Sequence, residues 1–110
     1  MNERRNAMKK FHIAIGVSNI EQSVRDYSMR LGGQPQTVIP GEYALWRTDT
    51  LNFSIRKVEP VGMVRHIGWE DATATVFTKE MDINGIVWEK FNEEEQRKEI
   101  ASIWPEYQKK

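Results

Sequence analysis

The chain has no cysteine, only two histidines and four prolines, no excess of charge of either sign, and no apolar run near the length of a membrane span. The first absence excludes disulfides, thiolate metal sites and cysteine nucleophiles, and it removes any need for an oxidising compartment, so a cytoplasmic location is expected. A bilayer-spanning helix needs about 20 consecutive apolar residues. None is present, and Met1 to Lys10 is not followed by the long apolar stretch of a signal peptide. Sixteen basic residues balance sixteen acidic ones, whereas nucleic-acid and anionic-membrane binders carry a strong basic excess. Only Met1 to Lys10 is locally basic, with Arg4, Arg5, Lys9 and Lys10 against Glu3, and it reads as a solvated terminus. At 110 residues the chain suits one domain, residues 1–110.

What is present is a repeat built around the two histidines. His12-Ile13-Ala14-Ile15-Gly16 returns in weaker form as His66-Ile67-Gly68-Trp69, and each opens a run that ends at a glycine, Gly32 and then Gly85. A duplicated unit with one histidine per copy points to a two-histidine site where the copies meet.

Phe11 to Val17 alternates Phe11, Ile13, Ile15 and Val17 with His12, Ala14 and Gly16, the period of a half-buried strand. Small residues beside His12 leave open volume on that face, as a pocket wall does. Ser18 and Glu21 stand at capping-box spacing, and Ile20, Val24, Tyr27 and Leu31 share one helical face before Gly32-Gly33, so a helix is predicted from about Ile20 to Leu31. Strands are predicted over 36–39, 42–47 and 51–57, separated by Pro40-Gly41 and Thr48-Asp49-Thr50. The first unit is therefore βαβββ over about 11–58, and its last strand presents Asn52, Ser54 and Arg56 on one face. A second copy begins near Val64, with a strand to Glu70, a helix expected from Asp71 or Thr73 through Asn84, and a strand over 86–91. There the repetition stops. Asn92 before Glu93-Glu94-Glu95 predicts a closing helix over about 93–104.

The run from His12 through Ser18-Asn19-Ile20-Glu21-Gln22-Ser23 to Tyr27 and Leu31-Gly32-Gly33, followed by His66-Ile67-Gly68-Trp69-Glu70-Asp71, resembles the vicinal oxygen chelate superfamily of glyoxalase I, extradiol dioxygenases and bleomycin-resistance proteins. The resemblance implies an α+β fold of paired βαβββ modules forming a cupped sheet, with the second module truncated at about 64–91. It also implies a divalent metal in the cup, iron, manganese, nickel or zinc, with ligands on the first and last strands of each module. His12 and His66 match the two first-strand ligands. Where the family usually has a carboxylate on the last strand of module one, this chain offers Asn52, Ser54 and Arg56, and the last strand of module two is expected to be missing.

Two neutral imidazoles hold a divalent ion weakly without a carboxylate beside them, and Arg56 near the cup favours an anionic ligand group over a bound cation. Glu70, four residues beyond His66 along a strand, lies about 13 Å away at ~3.3 Å per residue, out of reach of a shared ion, and Glu42, Glu89 and Glu106 stay open as a third ligand only through a geometry the sequence does not predict or through a partner chain. The balance favours histidines that line a pocket without a metal. The expected ligand is a small organic molecule contacted by Ala14, Asn52, Ser54 and Arg56, with His12 and His66 as the metal candidates. Three classes stay open: a metal-dependent lyase or oxygenase, a sequestering protein of the bleomycin-resistance type, and a degenerate interaction module. Trp69 is assigned to the core. A cup short of strands exposes apolar surface, so the tail helix, with Ile100, Ile103, Trp104 and Tyr107, or a second chain must cover it, and a homodimer is expected.

Overall fold

In the computed structural model, which describes residues 9–107, the alternating run becomes strand β1, Lys9–Val17. The basic segment ahead of it lies largely outside the described residues. Next come helix α1 (Ile20–Leu31), β2 (Thr37–Ile39), β3 (Tyr43–Arg47), β4 (Leu51–Lys57), β5 (Val64–Asp71), β6 (Thr78–Met81), β7 (Val87–Phe91), helix α2 (Glu93–Ile103) and a short 3-10 turn, Pro105–Tyr107. All seven strands form one mixed sheet in the order β2-β3-β4-β1-β5-β7-β6. The α+β class and the closing helix are as expected. No helix among the described residues is long and apolar enough to cross a membrane.

The two-residue period divides the chemistry between the faces of the sheet. On one face Val17, Ala44, Trp46, Phe53 and Ile55 bury themselves against Ile20 of α1, with Val24, Tyr27 and Leu31 packed around them. Asn19, rather than Ser18, caps α1 by accepting the Gln22 N–H at 2.9 Å, and Gly32 ends it in the left-handed conformation. His12, Tyr43, Ser54 and Arg56 therefore face the other side. Across that side runs α2, capped by Asn92, which places Ile100 and Trp104 on Ile39, Tyr43 and Leu45. The tail helix thus roofs one half of the cup from within the same chain.

The second unit corrects the expected order of elements. No helix forms between Asp71 and Asn84; that stretch turns at Asp71, whose Oδ1 accepts from the Thr73 N–H and hydroxyl, and then forms edge strand β6. Asp82 to Gly85 is a tight turn, with Asp82 Oδ1 accepting from Asn84 and Ile86 and Gly85 at φ 83°. Asn84-Gly85 therefore closes a hairpin rather than a helix. Strand pairing shows the repeat directly. β1 runs parallel to β4, which pairs antiparallel with β3; β5 runs parallel to β7, which pairs antiparallel with β6; and β1 and β5 join the halves antiparallel. Measured against the first unit, the second lacks its helix and one strand. Its last strand, expected to be missing, is present as β7. With no second helix, Trp69 is only half-buried on the outer face, edge-on to Phe11, instead of closing a core.

Candidate metal centre

Three side chains converge at the middle of the cup. His12 on β1, His66 on β5 and Glu89 on β7 each aim one donor atom inward, and these atoms lie within 4.8 Å of one another. His66 Nε2 is 3.2 Å and His12 Nε2 3.8 Å from Glu89 Oε1. Donors about 2.1 Å from a common ion stand roughly 3–3.5 Å apart, so the triad needs only a small contraction to share one. His12 and Glu89 are buried and His66 is nearly so.

The register explains the convergence. Antiparallel pairing sets Ala14 opposite His66, which places His12 and His66 on one face with ring centroids 5.0 Å apart. Parallel pairing sets Gly68 opposite Glu89, two residues beyond His66, as Ala14 opposes Ser54 two residues beyond His12. Ser54 is thus the repeat mate of Glu89 and stands where a second carboxylate would complete the symmetry. A β-carbon on Gly68 would meet the Glu89 carbonyl oxygen at 1.9 Å, so only glycine lets β7 approach closely enough to bring Glu89 in.

Behind His12 runs a buried polar relay. Asn52, fully buried, takes the His12 ring through Oδ1 at 2.8 Å from Nδ1, while its Nδ2 donates to Glu70 Oε1 and to Gln96 Oε1, both at 2.8 Å. Arg47 grips Glu70 with two bonds, Nε to Oε1 at 2.9 Å and Nη2 to Oε2 at 2.7 Å. An acceptor at Nδ1 places the ring proton there and leaves the Nε2 lone pair free, and that Nε2 is buried with no hydrogen-bond partner. An orphaned acceptor beside a carboxylate and a second imidazole gives a donor set that could hold an ion.

Electrostatics prepares the same state. Burial lowers the His12 pKa despite the raising effect of Asn52. Burial, with help from His12, Arg65 and Lys79, takes His66 down to about 3. Both imidazoles are therefore neutral at ordinary pH, as coordination requires. Burial pushes the Glu89 carboxyl up to about 7 against the pull of Lys79. Glu70 would also be raised by burial, but Arg47 and Asn52 reverse the sign and hold it below its ordinary value.

The triad opens into a cavity of about 300 Å³. Ser54 and Arg56 line it with the two histidines, as the sequence suggested. Asn52 and Ala14 do not; Asn52 stands behind His12 as its orienting partner, and Ala14 is buried within the sheet. The sequence left Glu89 open as a third ligand only through a geometry it did not predict, because the strand over 86–91 was not expected to be the last of its module, and it gave no sign of Arg65, which shares the cavity wall. The signal for Glu89 was its place two residues along from the register of His66, visible only once β5 and β7 are paired.

No family model matches the chain, and no curated protein is detectably similar to it. Among solved structures, the chain is similar to one described as the NAD-dependent benzaldehyde dehydrogenase from Legionella pneumophila, with a TM-score of 0.51 and 12% sequence identity over 74% of this chain and 97% of that one. At that identity the likeness is one of fold. His12, His66 and Glu89 nonetheless form, by their own geometry, a buried group that can hold a metal ion.

Proposed function

We propose that the protein binds a divalent metal ion through His12, His66 and Glu89 and acts on a small organic molecule as a lyase or oxygenase of the vicinal oxygen chelate type. The observation that carries the reading is the buried, partnerless His12 Nε2 beside His66 and Glu89. Two histidines and one carboxylate on one side of an ion form the facial arrangement that leaves coordination positions open, and iron is its common occupant. A bound ion would supply Lewis-acid polarisation of neighbouring substrate oxygens. The chain's own residues do the rest. Asn52 fixes the His12 ring, Arg47 and Glu70 fix Asn52, and Ser54, in place of a fourth ligand, leaves room beside the triad. Phe91, Ile100 and Trp104 wall the cavity and limit access of water.

Calorimetric titration with nickel, zinc, manganese and iron(II) tests the reading. Stoichiometric binding to the wild type, lost in His12→Ala and Glu89→Gln, is expected. Absence of binding by all four ions to the folded wild type would sink it.

A further inference from the structure

We propose that the ligand of this cavity is a small organic oxyanion, held between the guanidinium groups of Arg56 and Arg65, with an apolar body against Phe77, Phe91 and Ile103. The inference names the ligand class of the site proposed above and rests on that reading for the ion beside it, although the arginine pair stands without the metal.

The placement of Arg65 is the first observation. In a regular strand Arg65 and His66 would point to opposite faces of the sheet. The pairing of β1 with β5 shifts between Ala14 and Ile15, so that Ala14 faces His66 while Ile15 faces Val64, and Arg65 is left over. Such a bulge re-aims a side chain, and here Arg65 and His66 both line the cavity. Arg56 reaches the same wall from β4, in phase with Ser54, and its guanidinium lies over the Trp104 ring at 5.1 Å, which fixes its plane.

The second observation is the charge. Both arginines are half-buried, Arg56 is close enough to act on the charge of Arg65, and neither forms an ion pair among those found in the described residues. The other charged groups facing the cavity are Lys79, Glu89 and Glu99. Lys79 lies 4.0 Å from Glu89, and an ion on the triad would take Glu89 for itself. Two guanidiniums beside a divalent ion, with exposed Glu99 the remaining counter-charge, repel one another until an anion enters. A planar fork suits bidentate capture of a carboxylate or a phosphonate, and a cavity of about 300 Å³ sets the ligand at the small end of the usual range.

Benzoate and phenylphosphonate serve as probes, with neutral benzamide as the control, titrated into metal-free and zinc-loaded protein and read by tryptophan fluorescence. Either anion is expected to bind at least about tenfold more tightly than benzamide, and Arg56→Gln and Arg65→Gln each to weaken the anion by about tenfold or more. The same substitutions are expected to tighten zinc a few-fold by removing repulsion, whereas a merely structural role would weaken both ligands together. Equal binding of benzoate and benzamide, no anion binding at millimolar concentration, or parallel loss of zinc and anion would overturn the proposal. Arginine-dependent anion binding in a protein that takes no metal would support the clamp and overturn the metal reading alone. Preference between the two anions tells carboxylate from phosphonate.

Discussion

Replacing Asn52 by leucine tests whether the buried relay serves the metal site or only the fold. Leucine keeps the volume but removes both polar atoms. His12 Nδ1 is left with the main-chain carbonyl of residue 52 at 3.2 Å, and Glu70 Oε1 keeps only Arg47. Gln96 loses both its donor contact to Asn52 Oδ1 and its acceptor contact to Nδ2. An orphaned buried group costs about 1–3 kcal/mol, and three groups are affected with partial compensation at two, so the metal-free protein should lose about 3–5 kcal/mol. That is a large share of the ~5–15 kcal/mol a domain usually has. Metal affinity should fall separately, by roughly 10–100-fold, because the His12 ring loses the nearer of the two acceptors at Nδ1 and keeps only the longer main-chain contact to hold its orientation. Urea unfolding of the metal-free protein, followed by tryptophan fluorescence, gives the first number, and calorimetric titration of the folded protein gives the second. Gln96→Met is the control, since Gln96 touches Asn52 but not His12. It should lose stability while holding metal within a few-fold of wild type. An Asn52→Leu protein that is folded, less stable and unchanged in metal affinity would refute the orienting role.

Metal binding should be linked to one proton. A carboxyl with a pKa of about 7 must ionise to coordinate while both imidazoles are already neutral, so affinity rises with pH up to about 7 and levels off above it. Calorimetry in buffers of different ionisation enthalpy should find about one proton released near pH 6 and almost none near pH 8; release of two would contradict the neutral histidines. Gly68→Ala should separate β5 from β7, abolish metal binding and destabilise the fold by several kcal/mol, at roughly the cost of overpacking or more, which chemical denaturation measures. Ser54→Glu supplies the missing repeat mate of Glu89 and should tighten metal by roughly tenfold or more while destabilising the metal-free form through carboxylate repulsion; unchanged affinity would show that Ser54 does not border the ion. The half-buried outer patch of Phe11, Trp69 and Trp88, left uncovered by the absent helix, is expected to be an interface between two copies, and a monomeric mass by sedimentation at micromolar concentration would count against it.

Much of the first unit was legible because its signals are local. The alternation of β1, the helical face of Ile20, Val24, Tyr27 and Leu31, and the cap before it all act within a few residues. The two histidines were legible as opposite walls of one pocket for the same reason: each sits in a short strand whose phase can be counted. Segment 71–84 misled because Val76, Phe77, Met81 and Ile83 fit a loose helical spacing, and the same Asn84-Gly85 pair can end a helix or turn a hairpin. What decided the matter was Asp82, whose carboxylate binds Asn84, Ile86 and the Trp88 indole at once and fixes the hairpin. Met81 and Ile83 are exposed, so burial never rewarded the helix.

The places of Glu89 and Arg65 in the cavity were illegible for a deeper reason, since both depend on which strands become neighbours. Nothing near Glu89 in sequence announces that β7 runs beside β5, and nothing near Arg65 announces a bulge opposite Ala14. The same non-locality governs the relay. Arg47 lies on β3, Glu70 on β5, Asn52 on β4 and His12 on β1, so four strands from both units meet in one hydrogen-bonded chain. β4 and β5 do not pair with each other, because β1 lies between them, and Asn52 and Glu70 bridge over it on the cup face. The bonds that orient His12 therefore also hold the two halves of the sheet in register. A divalent ion bound by His12 from the first unit and by His66 and Glu89 from the second would close the same junction from the other end. Metal affinity and the stability of that junction are then linked, and substitution of Arg47, Glu70 or Asn52 should move both in the same direction. Arg56 and Arg65 stand outside the relay, so their substitution is expected to weaken one ligand while strengthening the other.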